Sequence, residues 1–308
     1  MSTQTRLGAD DNLVSAAARQ LGGQTIGPLG FGCWRLVGTD TQAATRLISH
    51  ALDIGMTLID NADVYGLDWG GQAFGENECL LGSVLAENPH MRDKMVLASK
   101  GSILPGVPYV ANAPYLTAAC DASLSRLQST HIDLYQIHRP DMFTHPAETA
   151  AALDGLVASG KISMIGVSNH TTAQIRSLQA HLKAPIVSVQ NAFSVAELSM
   201  LRDGTLDLCM ETGITPLAWS PLAGGAILSG TDQPDALLQL LDQLAAREKV
   251  DRAAIALAFI LAHPAGAVAL IGSQSSERLS AAQAALSVTL TRADVYALIE
   301  ASEGVPLP

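Results

Sequence analysis

Asp60, Tyr65, Lys100 and His138 are the residues of this sequence whose types and spacing suit proton transfer at a carbonyl group. A tyrosine hydroxyl ordinarily titrates near about 10, so at neutral pH it is a weak acid and an inert base. An ammonium beside it favours the phenolate and lowers that pKa, which is the part expected of Lys100. Asp60 can pair with Lys100 and keep it charged and aimed. His138 can hydrogen-bond to a substrate carbonyl and hold it near Tyr65, which follows Asp60 by five positions. Together they would form a general acid tuned to its working pH, as a carbonyl oxygen needs when the carbon accepts a hydride.

Any one of these residues alone would be unremarkable, since a Lys or Asp at a strand end is usually a solvated turn residue. Other chemistries have less support. Ser220, in Trp219-Ser220-Pro221-Leu222-Ala223-Gly224, lacks the GxSxG elbow of a hydrolase nucleophile. Asp133 and Asp141 flank the His138 run, but a glycosidase pair would need partners that the sequence does not place. Cys33, Cys79, Cys120 and Cys209 are scattered, with no CxxC and no Cys/His ligand spacing, so no metal site is expected.

What must position the four residues is a repeated unit: a short apolar β-rich run, a polar or glycine-bearing turn, then a helical pattern. The runs are 29–34, 56–60, 94–99, 132–137, 163–167, 186–189, 214–218 and 268–271. The second to eighth end at Asp60, Lys100, His138, Ser168-Asn169, Gln190-Asn191, Trp219-Ser220 and Gly272-Ser273. Eight such alternations point to an α/β fold of the (β/α)8 barrel type, whose strand ends all meet on one rim. An open doubly wound sheet would want GxGxxG after an early strand, and Gly30-Phe31-Gly32 lacks the third glycine. Residues 1–308 are read as one domain, with 1–20 as a flexible lead, an N-terminal cap and extra C-terminal helices.

The chain has 308 residues, 48% of them hydrophobic, enough for one large barrel core. Its 18 Lys and Arg against 29 Asp and Glu give a formal net charge of −11, which argues against nucleic acid as a partner. No apolar run approaches the roughly 20 residues that span a membrane. The N-terminus makes a poor signal peptide, so the protein is expected in the cytoplasm, as a monomer or weak oligomer.

The motifs resemble those of the aldo-keto reductases over about Gly30 to Ala285, and more loosely a bacterial oxidoreductase branch of them. Leu58-Ile59-Asp60-Asn61-Ala62-Asp63-Val64-Tyr65-Gly66 is similar to the family's aspartate-to-tyrosine motif, with Asn61 where threonine is commoner. Leu97-Ala98-Ser99-Lys100, Asp133 to Asp141 around His138, and Gly160-Lys161-Ile162 leading to Ile165-Gly166-Val167-Ser168-Asn169 resemble three further signatures. The resemblance implies a catalytic set of Asp60, Tyr65, Lys100 and His138, NADP(H) as cofactor and a small carbonyl compound as substrate.

It also implies that Ser168, Asn169 and Gln190 hold the carboxamide and that Trp219 stacks on the nicotinamide, an indole where a phenol is commoner. Ser220, Pro221, Leu222 and Gly224 fall on the expected pyrophosphate loop, and Gly32, Cys33 and Trp34 on first-strand contacts. Ile271, Gly272, Ser273, Ser275 and Arg278 occupy the 2′-phosphate segment, with Ser273 where many members carry lysine. Trp34, Trp69 and Phe74 are expected to wall the substrate pocket. Two alternatives stay open: oxidation of an alcohol or sugar by the same residues, and a non-catalytic nucleotide-binding subunit.

Overall fold

Strands rich in Val, Ile and Leu, buried on both faces, can pair in parallel only if helices cover their outer side. In the computed structural model, which describes residues 11–67 and 70–307, ten strands form. They are β1 Arg19–Leu21, β2 Gln24–Ile26, β3 Leu29–Gly32, β4 Leu58–Asp60, β5 Val96–Gly101, β6 Ile132–Ile137, β7 Ile162–Ser168, β8 Ile186–Ala192, β9 Thr215–Trp219 and β10 Val268–Ile271. β3 to β10 pair in parallel and in sequence order, and β10 returns to β3 to close the barrel. This is the expected (β/α)8 architecture.

The barrel interior is divided. Toward the N-terminal ends of the strands it is apolar, filled by residues such as Leu58, Leu134, Met164, Leu217 and Val268. The antiparallel hairpin β1–β2 plugs that mouth with the buried side chains of Leu21 and Ile26, which supplies the expected N-terminal cap. Its two-residue turn uses Gly22 and Gly23 at φ 55° and 91°, the positive-φ pair that a tight hairpin of this kind needs. Gly22 also passes so close to the interior that a Cβ there would lie 2.5 Å from Met164 Sδ.

Helices seal the outside. Thr41–Asp53 is capped by Asp40, whose carboxylate accepts from Ala43 N–H at 2.7 Å, and Arg252–Leu261 by Asp251, accepting from Ala254 N–H at 2.8 Å. Such caps satisfy N–H groups that the first helical turn leaves unpaired. A final helix, Arg292–Glu303, packs outside the barrel wall against the helix Asp235–Glu248.

Several boundaries differ from expectation. β5 runs on to Gly101, so Lys100 lies inside the strand, not past its end. β3 stops at Gly32, and Cys33–Arg35 turn as a short 3-10 helix. Of the lead expected to be flexible, residues 11–20 are tied down. Leu13 N–H donates to Leu290 O at 2.9 Å and Ser15 N–H to Leu261 O at 3.2 Å. Backbone groups in this stretch find partners in the C-terminal region, which its composition does not disclose. Among the described residues no helix is long and apolar enough to cross a membrane.

Candidate active site

Toward the C-terminal ends of the strands the interior turns polar. Lys100 is fully buried, and its ammonium makes three hydrogen bonds: to Asp60 Oδ2 at 2.7 Å, Asn61 O at 2.8 Å and Tyr65 Oη at 2.9 Å. All three N–H donors are thereby used, as a buried ammonium requires. Burial pushes the Lys100 pKa down, but Asp60 and Tyr65 outweigh it and the net direction is up, so the group is charged at neutral pH. The other oxygen of Asp60 accepts from Gln190 Nε2 at 2.9 Å and Gln136 Nε2 at 3.2 Å. Gln136 has no assigned role in the sequence reading, because an amide inside an apolar run looks like an ordinary strand residue.

Tyr65 sits on the loop after β4. Asn61 fixes that loop: its Oδ1 accepts from Ala62 N–H and its Nδ2 donates to Asn77 O. Asn77 in turn donates to the carbonyls of Cys33 and Trp34 at 2.7 and 3.2 Å. Asn61 therefore ties the tyrosine loop, through Asn77, to the end of β3. Contrary to expectation, the Tyr65 pKa is not lowered overall. Burial raises it, Lys100 pulls it down, Asp60 raises it again, and the result is pushed up to about 12.

His138 follows β6 and anchors its backbone N–H on Gly101 O at 2.8 Å. Its ring meets Tyr65 edge-on, with centroids 5.7 Å apart. Burial, with Lys100 and Arg139 adding to it, holds its pKa well below the usual histidine range, so the imidazole is neutral. Nδ1 is buried without a partner. A buried lone pair left unpaired is tolerated better than a buried N–H, so the proton belongs on Nε2, available to donate to an oxygen in the cleft that His138 lines.

That cleft has a volume of about 610 Å³, within the range of small-molecule and cofactor sites. Asp60, Tyr65 and His138 face it together with Gly32, Trp34, Ser168, Asn169, Gln190, Trp219, Ser220, Pro221, Leu222, Gly224, Ile271, Gly272, Ser273 and Arg278. Ser168, Asn169 and Trp219 are linked: Trp219 Nε1 donates to Asn169 Oδ1 (3.2 Å), Asn169 Nδ2 to Ser168 Oγ (2.8 Å), and Ser168 Oγ to Gln190 O (2.8 Å). Glycines at 32, 272, 224 and 225 keep the floor free of side chains.

Three expected residues fall elsewhere, and a fourth is not described. Cys33 is buried in its 3-10 turn and does not reach the cleft. Ser275 caps the helix Ser276–Ala282, accepting from Arg278 N–H at 3.2 Å and donating to Glu277 at 2.6 Å, so its hydroxyl is already committed. Phe74 lies against the Arg126 guanidinium, 5.6 Å from ring centre to Cζ, and is not part of the cleft wall. Trp69 lies outside the described residues. Conversely Arg35, Arg139 and Leu257 line the cleft without having been singled out. Arg139 was visible beside His138; the others needed the fold.

Ser102, just past β5, is the buried non-glycine residue with φ of 98°, a conformation that costs an L-residue about 1–3 kcal/mol. Its hydroxyl donates to Arg139 O at 2.9 Å and accepts from Arg139 N–H at 3.1 Å.

The model of the Aldo/keto reductase family matches residues 28–303. A 6-dehydroglucose reductase of Novosphingobium aromaticivorans is 44% identical over 297 residues, covering 95% of this chain and 97% of that protein. A protein of the same name from Agrobacterium fabrum is 33% identical over 275 residues, 85% of this chain and 89% of its own. The crystal structure of an aldo/keto reductase from Klebsiella pneumoniae in complex with NADP and acetate superposes with a TM-score of 0.76 at 26% identity, covering 96% of this chain and 97% of that one.

Proposed function

The chain belongs to the aldo/keto reductase family and is an oxidoreductase, and from that premise we propose that it reduces small aldehydes or ketones to alcohols with NADPH, Tyr65 acting as the general acid. The observation that carries the reading is the shared ammonium: Lys100 bonds Tyr65 Oη and Asp60 Oδ2 at once. Because Lys100 donates to Oη, the hydroxyl's own hydrogen is left to be donated. When that proton passes to the carbonyl oxygen, the phenolate that remains sits beside a fixed positive charge. His138, neutral, donates from Nε2 to the same oxygen and orients it.

NADPH supplies the hydride when bound. The residues present fit it: a side-chain-free floor, an indole at the end of β9, amide and hydroxyl groups beside it, and Arg278 at the other end of the cleft. Gln190, whose Nε2 is engaged with Asp60, keeps Oε1 to accept from the carboxamide. With Ser275 turned into its helix cap, preference for the 2′-phosphate rests on Arg278.

The raised Tyr65 pKa keeps its hydroxyl protonated near neutrality, the form that carbonyl reduction requires. A purely nucleotide-binding role would not require the whole buried set. The name shared by two relatives favours a polyhydroxylated aldehyde as the substrate class. The test is tryptophan fluorescence titration with NADPH and NADH, then carbonyl-dependent NADPH oxidation with Tyr65→Phe as control. Tight NADPH binding and turnover abolished in Tyr65→Phe support the reading. Absence of binding by either nucleotide refutes it.

A further inference from the structure

Around the rim, the residues assigned to the dinucleotide lie on β3 and on β7 to β10, leaving the sector of β4 to β6 for the substrate. In that sector Lys100 is committed to Asp60 and Tyr65. Arg139 is not committed. It follows His138, is half-buried and lines the cleft with Ile103. Among the described residues its guanidinium has no hydrogen-bond or ion-pair partner. Its backbone, by contrast, is held twice over by the Ser102 hydroxyl. Ser102 is buried and held at φ 98°, a strained conformation, with its hydroxyl on the Arg139 backbone.

A guanidinium presents five N–H donors in a rigid fork and accepts nothing. Filling the cleft with a purely apolar aldehyde would strip its water and leave those donors unmet. A chain of hydroxyls offers acceptor oxygens at neighbouring carbons, matched to a fork. We propose that Arg139 is a specificity-determining residue that binds hydroxyl oxygens beside the reacting carbonyl of a polyhydroxylated aldehyde, with Ser102 as its positioning residue. This rests on the reductase reading above.

The test compares two aldehydes of equal chain length, D-glyceraldehyde and propanal, by steady-state kinetics at saturating NADPH. The quantity read is the ratio of their kcat/KM values. Arg139→Ala should lower that ratio at least tenfold, with most of the change in the KM for glyceraldehyde. Arg139→Gln, which keeps a shorter stem and two of the N–H donors, should give an intermediate loss and serves if the alanine variant does not accumulate. Ser102→Gly accepts φ 98° without a Cβ, so it should fold, yet it lacks the clamp; the ratio should fall at least threefold. A merely structural role would depress both substrates alike and leave the ratio in place, which would overturn the proposal. So would a larger loss with succinic semialdehyde than with glyceraldehyde, which would assign Arg139 to an anionic group. Wild-type protein that oxidises NADPH with neither aldehyde would overturn this proposal and the reductase reading together; turnover of both with an unmoved ratio in the variants would overturn this one alone.

Discussion

Lys100→Met removes the ammonium while keeping an unbranched side chain of similar length, and its effect can be worked from the ion pair. The Lys100 and Asp60 side chains are 0% and 4% exposed, 2.7 Å apart. Breaking a buried pair from one side leaves a charge without compensation and typically destabilises by about 3–5 kcal/mol. With 308 residues at about 2.1 cal/mol/K of unfolding entropy each, the chain loses about 0.65 kcal/mol per degree, so the Tm should fall by about 5–8 °C. Adding Asp60→Asn removes the stranded charge. The double variant should therefore recover part of the loss, a non-additivity of at least about 1 kcal/mol for groups in direct contact. Differential scanning calorimetry of the four proteins of the cycle measures both quantities. A drop under about 2 °C, or strictly additive effects, would refute the claim that this pair is buried and mutually compensating.

The pH profile follows from the two shifted groups. Tyr65 must be protonated to give its proton, so reductive kcat/KM should hold from neutral pH upward and fall only as pH rises toward about 12. With His138 held well below its usual range, no inflection should occur near pH 6.5; one there would contradict the neutral imidazole. Arg278→Ala should weaken NADPH by about tenfold relative to NADH, an effect of about 1.4 kcal/mol, read by fluorescence titration; equal weakening of both would remove Arg278 from the 2′-phosphate. Gly22→Ala, with a positive φ and Met164 in the way, should cost about 1–2 kcal/mol, read as a denaturation midpoint shifted without a change in slope.

Much of the architecture was legible because parallel strands convert distant positions into neighbours by a simple rule. Runs ending near Asp60, Lys100 and His138 had to share a rim if they closed into a barrel. What was not legible depends on local geometry or burial. Cys33 and Ser275 point away because one lies in a 3-10 turn and the other caps a helix, and neither turn type is written in residue spacing. Phe74 found Arg126 across the fold. The direction of the Tyr65 shift required knowing that burial outweighs the neighbouring ammonium. Gln136 and Ser102 carry no signal in their residue types; only the atoms they touch distinguish them. The hairpin strands of three residues are too short for periodicity to register.

The linked amides and hydroxyls at the rim also have a direction. Trp219 has only a donor and Asp60 only acceptors, so the first fixes the orientation of Asn169 and the second that of Gln190. Turning Asn169 over would set N–H against the indole N–H; turning Gln190 over would set oxygen against the carboxylate. The polarity of this part of the cleft wall is thus set by groups that cannot reverse their own hydrogen-bonding sense. Lone substitutions within it should propagate to neighbours, while a ligand finds its donors and acceptors already sorted and little reorganisation left to do.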